Sequence, residues 1–193
     1  MSSDDGCQPT VPGAPGSMNP TAPPATEPLV ALLAQLDALL AALSAEQYTR
    51  SPVGEIRSSI GSHVRHCLDH VEAWVRAAES GTLDYDHRER GTLLEKDRDV
   101  ALETIRRLSG EIASLSPALL DRPVWMSAQL SAGGPSYRAT TSVMRELMFV
   151  VSHTIHHNAL IAVMLKLMNA PAPEQFGYAP ATLTHLRRVQ TGA

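Results

Sequence analysis

The residues of this chain best suited to chemistry are its histidines, and six of the eight fall in two short windows. The first window reads Ser62-His63-Val64-Arg65-His66-Cys67-Leu68-Asp69-His70, and the second reads Ser152-His153-Thr154-Ile155-His156-His157-Asn158. At about 100° per residue in a helix, His153 and His157 project from one face, a turn apart. Two imidazoles so spaced can hold one ion about 2 Å from each nitrogen. A third ligand must come from another segment, and the first window offers His63, His66 and His70. A lone buried histidine is ordinarily a hydrogen-bonded core residue. Two clusters on two helices point instead to a shared ion, because desolvating several imidazoles without a partner is costly. Thr154 stands where H-E-x-x-H metalloproteases carry their general-base glutamate, so zinc-dependent peptide hydrolysis is not expected.

Long amphipathic helices must position these windows. Leu29, Leu32, Leu33, Leu36, Leu40 and Leu43 recur at helical spacing after Pro28, and Ser51-Pro52 interrupts the pattern. A second helix is expected from about Gly54 to Ser80, with Gly81 as its stop. After the charged stretch Asp84–Gly91, Thr92 and Glu95 have capping-box spacing and predict the start of a third helix, which Pro117 closes. Residues 118–140 suit a short hairpin or an irregular crossover. A fourth helix, from about Ser142 to Asn169, is apolar nearly all round, as a helix buried among others should be. Pro180 predicts a last short helix through Leu186. The sum is an all-α fold, a four-helix bundle with a long connection between helices 3 and 4. Residues 1–26, rich in proline, glycine and alanine, are expected to form a disordered tail, leaving 27–193 as one domain.

Composition excludes several classes. A formal charge of -4 argues against nucleic acid as a partner. With only Cys7 and Cys67, a structural disulfide is not expected. No export signal is visible at the N-terminus. Leu147–Leu165 is long enough to span a bilayer but contains three histidines and an asparagine, so a membrane partner is not expected either. The expected location is cytoplasmic.

The text His66-Cys67-Leu68-Asp69-His70-Val71-Glu72-Ala73-Trp74, the H-x-x-x-H of His153 and His157, and the tail Phe176-Gly177-Tyr178-Ala179-Pro180 resemble the DinB-like family, also called DinB/YfiT-like metalloenzymes. The resemblance covers about residues 28–186. It implies a four-helix bundle with a three-histidine site for a divalent ion, zinc or nickel foremost and iron or manganese after them. Carried over, the ligands are His66, His153 and His157. On the helical wheel His63 and His70 lie nearer the apolar stripe, which makes His70 and then His63 the fallbacks on that helix. His156 lies about 60° from His153 and is expected beside the site rather than on the ion. The resemblance also implies transfer of a small thiol to an electrophilic substrate. The rival expectation is a non-catalytic, stress-associated metal-binding protein or a homodimeric interaction protein.

Three neutral histidines leave a divalent ion its full charge and an open position, the arrangement of catalytic sites. Asp69 and Glu146 are candidates for orienting an imidazole, Glu146 lying two turns before His153 on nearly the same face. Arg88 and Arg90 could bind an anionic substrate, and Tyr85 and Trp125 could line a pocket, although a solvated connector and core anchors are the simpler roles. Cys67 points about 100° away from His66 and is expected to pack rather than react.

Overall fold

The computed structural model describes residues 24–52, 57–86 and 92–192. Its helices are α1 (Glu27–Ala42), α2 (Ala45–Thr49), α3 (Ile60–Ser80), α4 (Arg98–Ser114), α5 (Val143–Leu167) and α6 (Pro180–Thr191). Three strands, β1 (Thr82–Asp84), β2 (Pro123–Gln129) and β3 (Ser136–Ser142), form one small sheet. The chain is mostly helical. The four long helices pack as a ring, with α1 against α4 and α5, and α3 against the same two. Leucines 29, 33, 36 and 40 of α1, Trp74 of α3, Ile105 and Leu108 of α4 and Ile161 of α5 fill its centre, each 0–1% exposed.

Local chemistry fixes the helix ends. Ser59 Oγ accepts from the Ser62 amide and starts α3, so residues 57–59 are not helical. The helix thus starts several residues later than the expected Gly54, which itself lies outside the described residues. The capping box forms at Ser44 and Gln47, where it opens the unexpected α2. At Thr92 the side chain makes no cap and a single 3-10 turn follows (Leu93–Glu95). Asp97 starts α4 by accepting from the amides of Asp99 and Val100. At the other end, Gly81 adopts φ 76°, the left-handed conformation that ends α3 without strain on a Cβ.

The expectation of a purely α fold needs correcting. Residues 123–142 form an antiparallel hairpin in which Trp125 faces Thr140 and Met126 faces Ala139. Thr82, Leu83 and Asp84 add a parallel strand on its other side. Leu83 and Val124 supply the buried edge of this sheet while β3 is mostly exposed, so no helix-period stripe announces it. The last helix runs past Leu186 to Thr191. Residues 1–23, most of the expected tail, lie outside the described residues, as do Arg88 and Arg90.

Two contacts seat the histidine-bearing helices. Trp74, fully buried on α3, donates its indole N–H to the Val143 carbonyl at the start of α5, 2.9 Å away. At Gly61 an added Cβ would fall 2.3 Å from the Glu95 carbonyl oxygen, so only glycine lets the 3-10 turn lie against the first turn of α3. Val143–Leu167 is long and apolar enough to cross a membrane by length and composition. This helix, α5, packs on α1 and α3 and carries Glu146, His153, His156 and His157.

Candidate metal centre

The histidines of α3 and α5 meet where these two helices cross, and α3 and α5 are the most extensively packed helix pair. His66 Nε2 and His153 Nε2 lie 3.0 Å apart. Two nitrogens bound to one tetrahedral ion at 2.0–2.1 Å would be about 3.3 Å apart, so this pair is within a few tenths of an ångström of a ligand pair. His70 joins them: the ligand nitrogens of His66, His70 and His153 all lie within 4.8 Å of one another. The His157 ring stands on the other side, its centroid 4.6 Å from both His66 and His153. His66 and His153 therefore form the centre, and His70 and His157 flank it.

Tautomers follow from the hydrogen bonds. His70 Nδ1 is 2.8 Å from the His66 carbonyl oxygen, which can only accept. The proton of neutral His70 is thus on Nδ1, and Nε2 keeps its lone pair. His63 reaches the cluster through His157, with their Nδ1 atoms 2.9 Å apart. His156 is exposed, and its ring meets His157 edge-on at 5.4 Å. The donor set, three imidazoles on two helices with their nitrogens within 4.8 Å of one another and the His157 ring beside them, fits a borderline divalent ion.

Two aromatic rings wall the cluster. Tyr85, just beyond β1, stacks on His70 at 4.8 Å between centroids, and Phe149, one turn before His153, stacks on His153 at 5.4 Å. Glu146 is 1% exposed and accepts hydrogen bonds from Tyr85 Oη (3.0 Å), Thr141 Oγ1 (2.8 Å) and Arg145 Nη1 (2.7 Å). Its influence on the cluster runs through Tyr85, which it ties against His70. Burial and the neighbouring carboxylate push the Tyr85 hydroxyl well above its usual range. Asp69 is half-buried on α3, where its charge adds to burial in raising the thiol pKa of Cys67. Cys67 is fully buried, which suits packing rather than nucleophilic attack. Trp125 is 53% exposed under Arg138 on the hairpin.

The motif-based ligand set and the structure overlap in His66 and His153. They part at the third position, where the spacing points to His157 and the tightest grouping of nitrogens includes His70. Sequence reasoning missed the Glu146–Tyr85–His70 connection, because nothing in a loop sequence says which ring it will cover. Phe149 was findable, standing four residues before His153 on the same helical face.

Burial, then the nearby charges of His153, His63 and His156, lower the pKa of His157 to about 4. Burial and His156 also lower that of His63. The folded form thus prefers neutral His157, whereas the unfolded chain takes up a proton near pH 6.5. The stability this group contributes is complete above pH 6.5 and is lost as pH falls toward 4. Metal-free protein should therefore show a urea midpoint that declines between pH 6.5 and 4. A midpoint that holds or rises across that interval would show that His157 is not kept neutral by the fold.

Comparison with known proteins gives two findings. The DinB superfamily profile matches residues 29–161, more than half of the chain and inclusive of all six clustered histidines. A stretch of 107 residues is 36% identical to a protein of Rhizopus delemar named FK506-binding protein 5, covering 55% of this chain and 28% of that protein. The chain thus spans well under half the length of this curated relative.

Proposed function

The chain belongs to the DinB superfamily, and from that premise we propose that it is a divalent-metal enzyme transferring a small thiol to an electrophile. The ring of α1, α3, α4 and α5 is the superfamily's four-helix bundle in this reading, and His66, His153 and His157 hold the ion, zinc or nickel. The observation that carries it is the 3.0 Å approach of His66 Nε2 to His153 Nε2, with the His157 ring 4.6 Å from each. An ion so held supplies a Lewis acid that favours the thiolate form of a bound thiol.

The chain's own residues supply the rest. His70 Nε2 keeps a lone pair because Nδ1–H is committed to the His66 carbonyl, so it can accept the thiol proton. The sulfur then forms a bond to the electrophilic carbon, and the leaving group departs with the electron pair of the bond it loses. Tyr85 and Phe149 give an apolar wall that excludes water from the approach and holds His70 and His153 in place. Protein loaded with zinc or nickel should consume small thiols in the presence of suitable electrophiles, and His66→Ala should abolish this. If the loaded protein consumes no thiol against a broad panel of electrophiles, the transferase reading fails.

One observation favours a second reading. The His70 nitrogen lies in the same 4.8 Å grouping as those of His66 and His153. Should it bind together with His157, four imidazoles would close a tetrahedral shell, the pattern of structural sites. That version is a non-catalytic metal-binding protein. X-ray absorption on the zinc form separates the two by imidazole multiple scattering: three imidazoles and one non-imidazole oxygen donor support the enzyme, and four imidazoles support the structural site.

A further inference from the structure

His63 lies outside the proposed ligand set, yet it decides which nitrogen His157 can offer. Its Nδ1 is 2.9 Å from His157 Nδ1, and its Nε2 is 3.1 Å from Ser58 Oγ. A nitrogen-to-nitrogen hydrogen bond between neutral rings carries one proton, so only two arrangements of this chain exist. In the first, His157 Nδ1–H donates to His63 Nδ1, and His63 Nε2–H donates to Ser58 Oγ. His157 Nε2 then holds a lone pair and can bind an ion. In the second, Ser58 O–H donates to His63 Nε2, and His63 Nδ1–H donates to His157 Nδ1. His157 then carries its proton on Nε2 and cannot bind one.

We infer that His63 is a positioning residue: through Ser58–His63–His157 it accepts the Nδ1 proton of His157, fixing that ring's tautomer and orientation so that Nε2 faces the ion. The inference rests on the reading of His157 as a ligand. Metal-bound histidines generally donate their remaining N–H to a fixed acceptor, which raises ligand basicity and holds the ring. Here the acceptor is a third histidine of α3 rather than a carboxylate, and it is itself anchored. Ser58 precedes the Ser59 cap that starts α3, and the His63 amide donates to the Ser59 carbonyl at 3.3 Å. The three α3 histidines thereby divide the work: His66 binds, His70 accepts a proton, and His63 sets the tautomer of a ring on the opposite helix.

The test is the zinc dissociation constant of the full chain, measured by chelator competition, for wild type, His63→Leu and His63→Asn. Loss of the acceptor in His63→Leu should weaken zinc by about 10–100-fold. His63→Asn, whose amide oxygen can take the place of Nδ1, should restore affinity to within about threefold of wild type. Equal weakening in both variants would assign His63 to packing and overturn the inference, as would an unchanged constant in His63→Leu. Nitrogen-15 NMR of the zinc-loaded wild type reads the tautomer directly, even if a variant fails to fold. A proton on His157 Nδ1 hydrogen-bonded to His63 supports the inference, and a His157 Nδ1 without a proton overturns it. Wild-type protein that takes up no zinc would overturn the metal reading and this one together, whereas zinc binding indifferent to His63 overturns this one alone.

Discussion

Replacing His153 with alanine is expected to take the chain from one tightly held divalent ion to none retained through gel filtration. His153 contributes half of the central nitrogen pair of the cluster, 3.0 Å from His66 Nε2. It also stacks on His70 at 4.2 Å and on Phe149. Structural zinc sites bind with about 10–16 kcal/mol in total, so one of four donors is worth roughly 3 kcal/mol, or about 100-fold in affinity. The true loss should exceed that figure, because the neighbouring rings lose their stacking partner as well. His156→Ala is the control. That ring is exposed and meets the cluster only edge-on through His157, so its removal should leave metal content unchanged. Elemental analysis of both variants, purified without chelator, checks the pair of outcomes. Wild-type metal content in His153→Ala would mean that the ion is held elsewhere.

The second large effect concerns the framework rather than the ligands. Trp74→Ala should destabilise the protein by about 3–5 kcal/mol, the usual cost of deleting a fully buried tryptophan. For a chain of this length that lowers the melting temperature by roughly 10 °C. Two terms contribute, the cavity itself and the Val143 carbonyl that loses its 2.9 Å indole donor. Trp74→Phe separates them, since it keeps most of the apolar volume and loses only the donor, and should cost about 1–3 kcal/mol. Because Trp74 follows His70 by one turn and bonds to the first residue of α5, its loss should also loosen the α3–α5 crossing and weaken metal binding in step. A melting temperature within a degree or two of wild type in Trp74→Ala would show that this crossing does not depend on the tryptophan.

The helix-bearing part of the fold was legible because the first three long helices carry stripes of period 3.6, as in Leu29, Leu33, Leu36 and Leu40, and the fourth is a long run apolar nearly all round. The caps were less legible. Thr92 and Glu95 have the right spacing but sit before a 3-10 turn, while the same chemistry at Ser44 and Gln47 does form the box. Two short polar sequences cannot be ranked locally when packing of the following turn decides between them. The β2–β3 hairpin was one of two readings of residues 118–140, but the choice between them and the pairing with β1 were hidden for a related reason. β3 is exposed along most of its length, so neither of its faces needs an apolar alternation, and β1 is only three residues long.

For the histidines, the sequence by itself determined which six lie on two helices and that His153 and His157 share a face, because 100° per residue is a property of the helix alone. It also determined the absence of the protease glutamate at Thr154. Only the tertiary structure decided which rings meet across the α3–α5 crossing. All three α3 histidines lie within 60° of one another on the wheel, and so small an angular spread leaves the choice to the axial offset between the two helices. That offset sets His66 opposite His153, His63 opposite His157, and His70 beneath Tyr85. Long-range packing, fixed in part by Trp74 on Val143, thus turned an unordered cluster into a central pair, two flanking rings and an outer ring, His63, joined to His157.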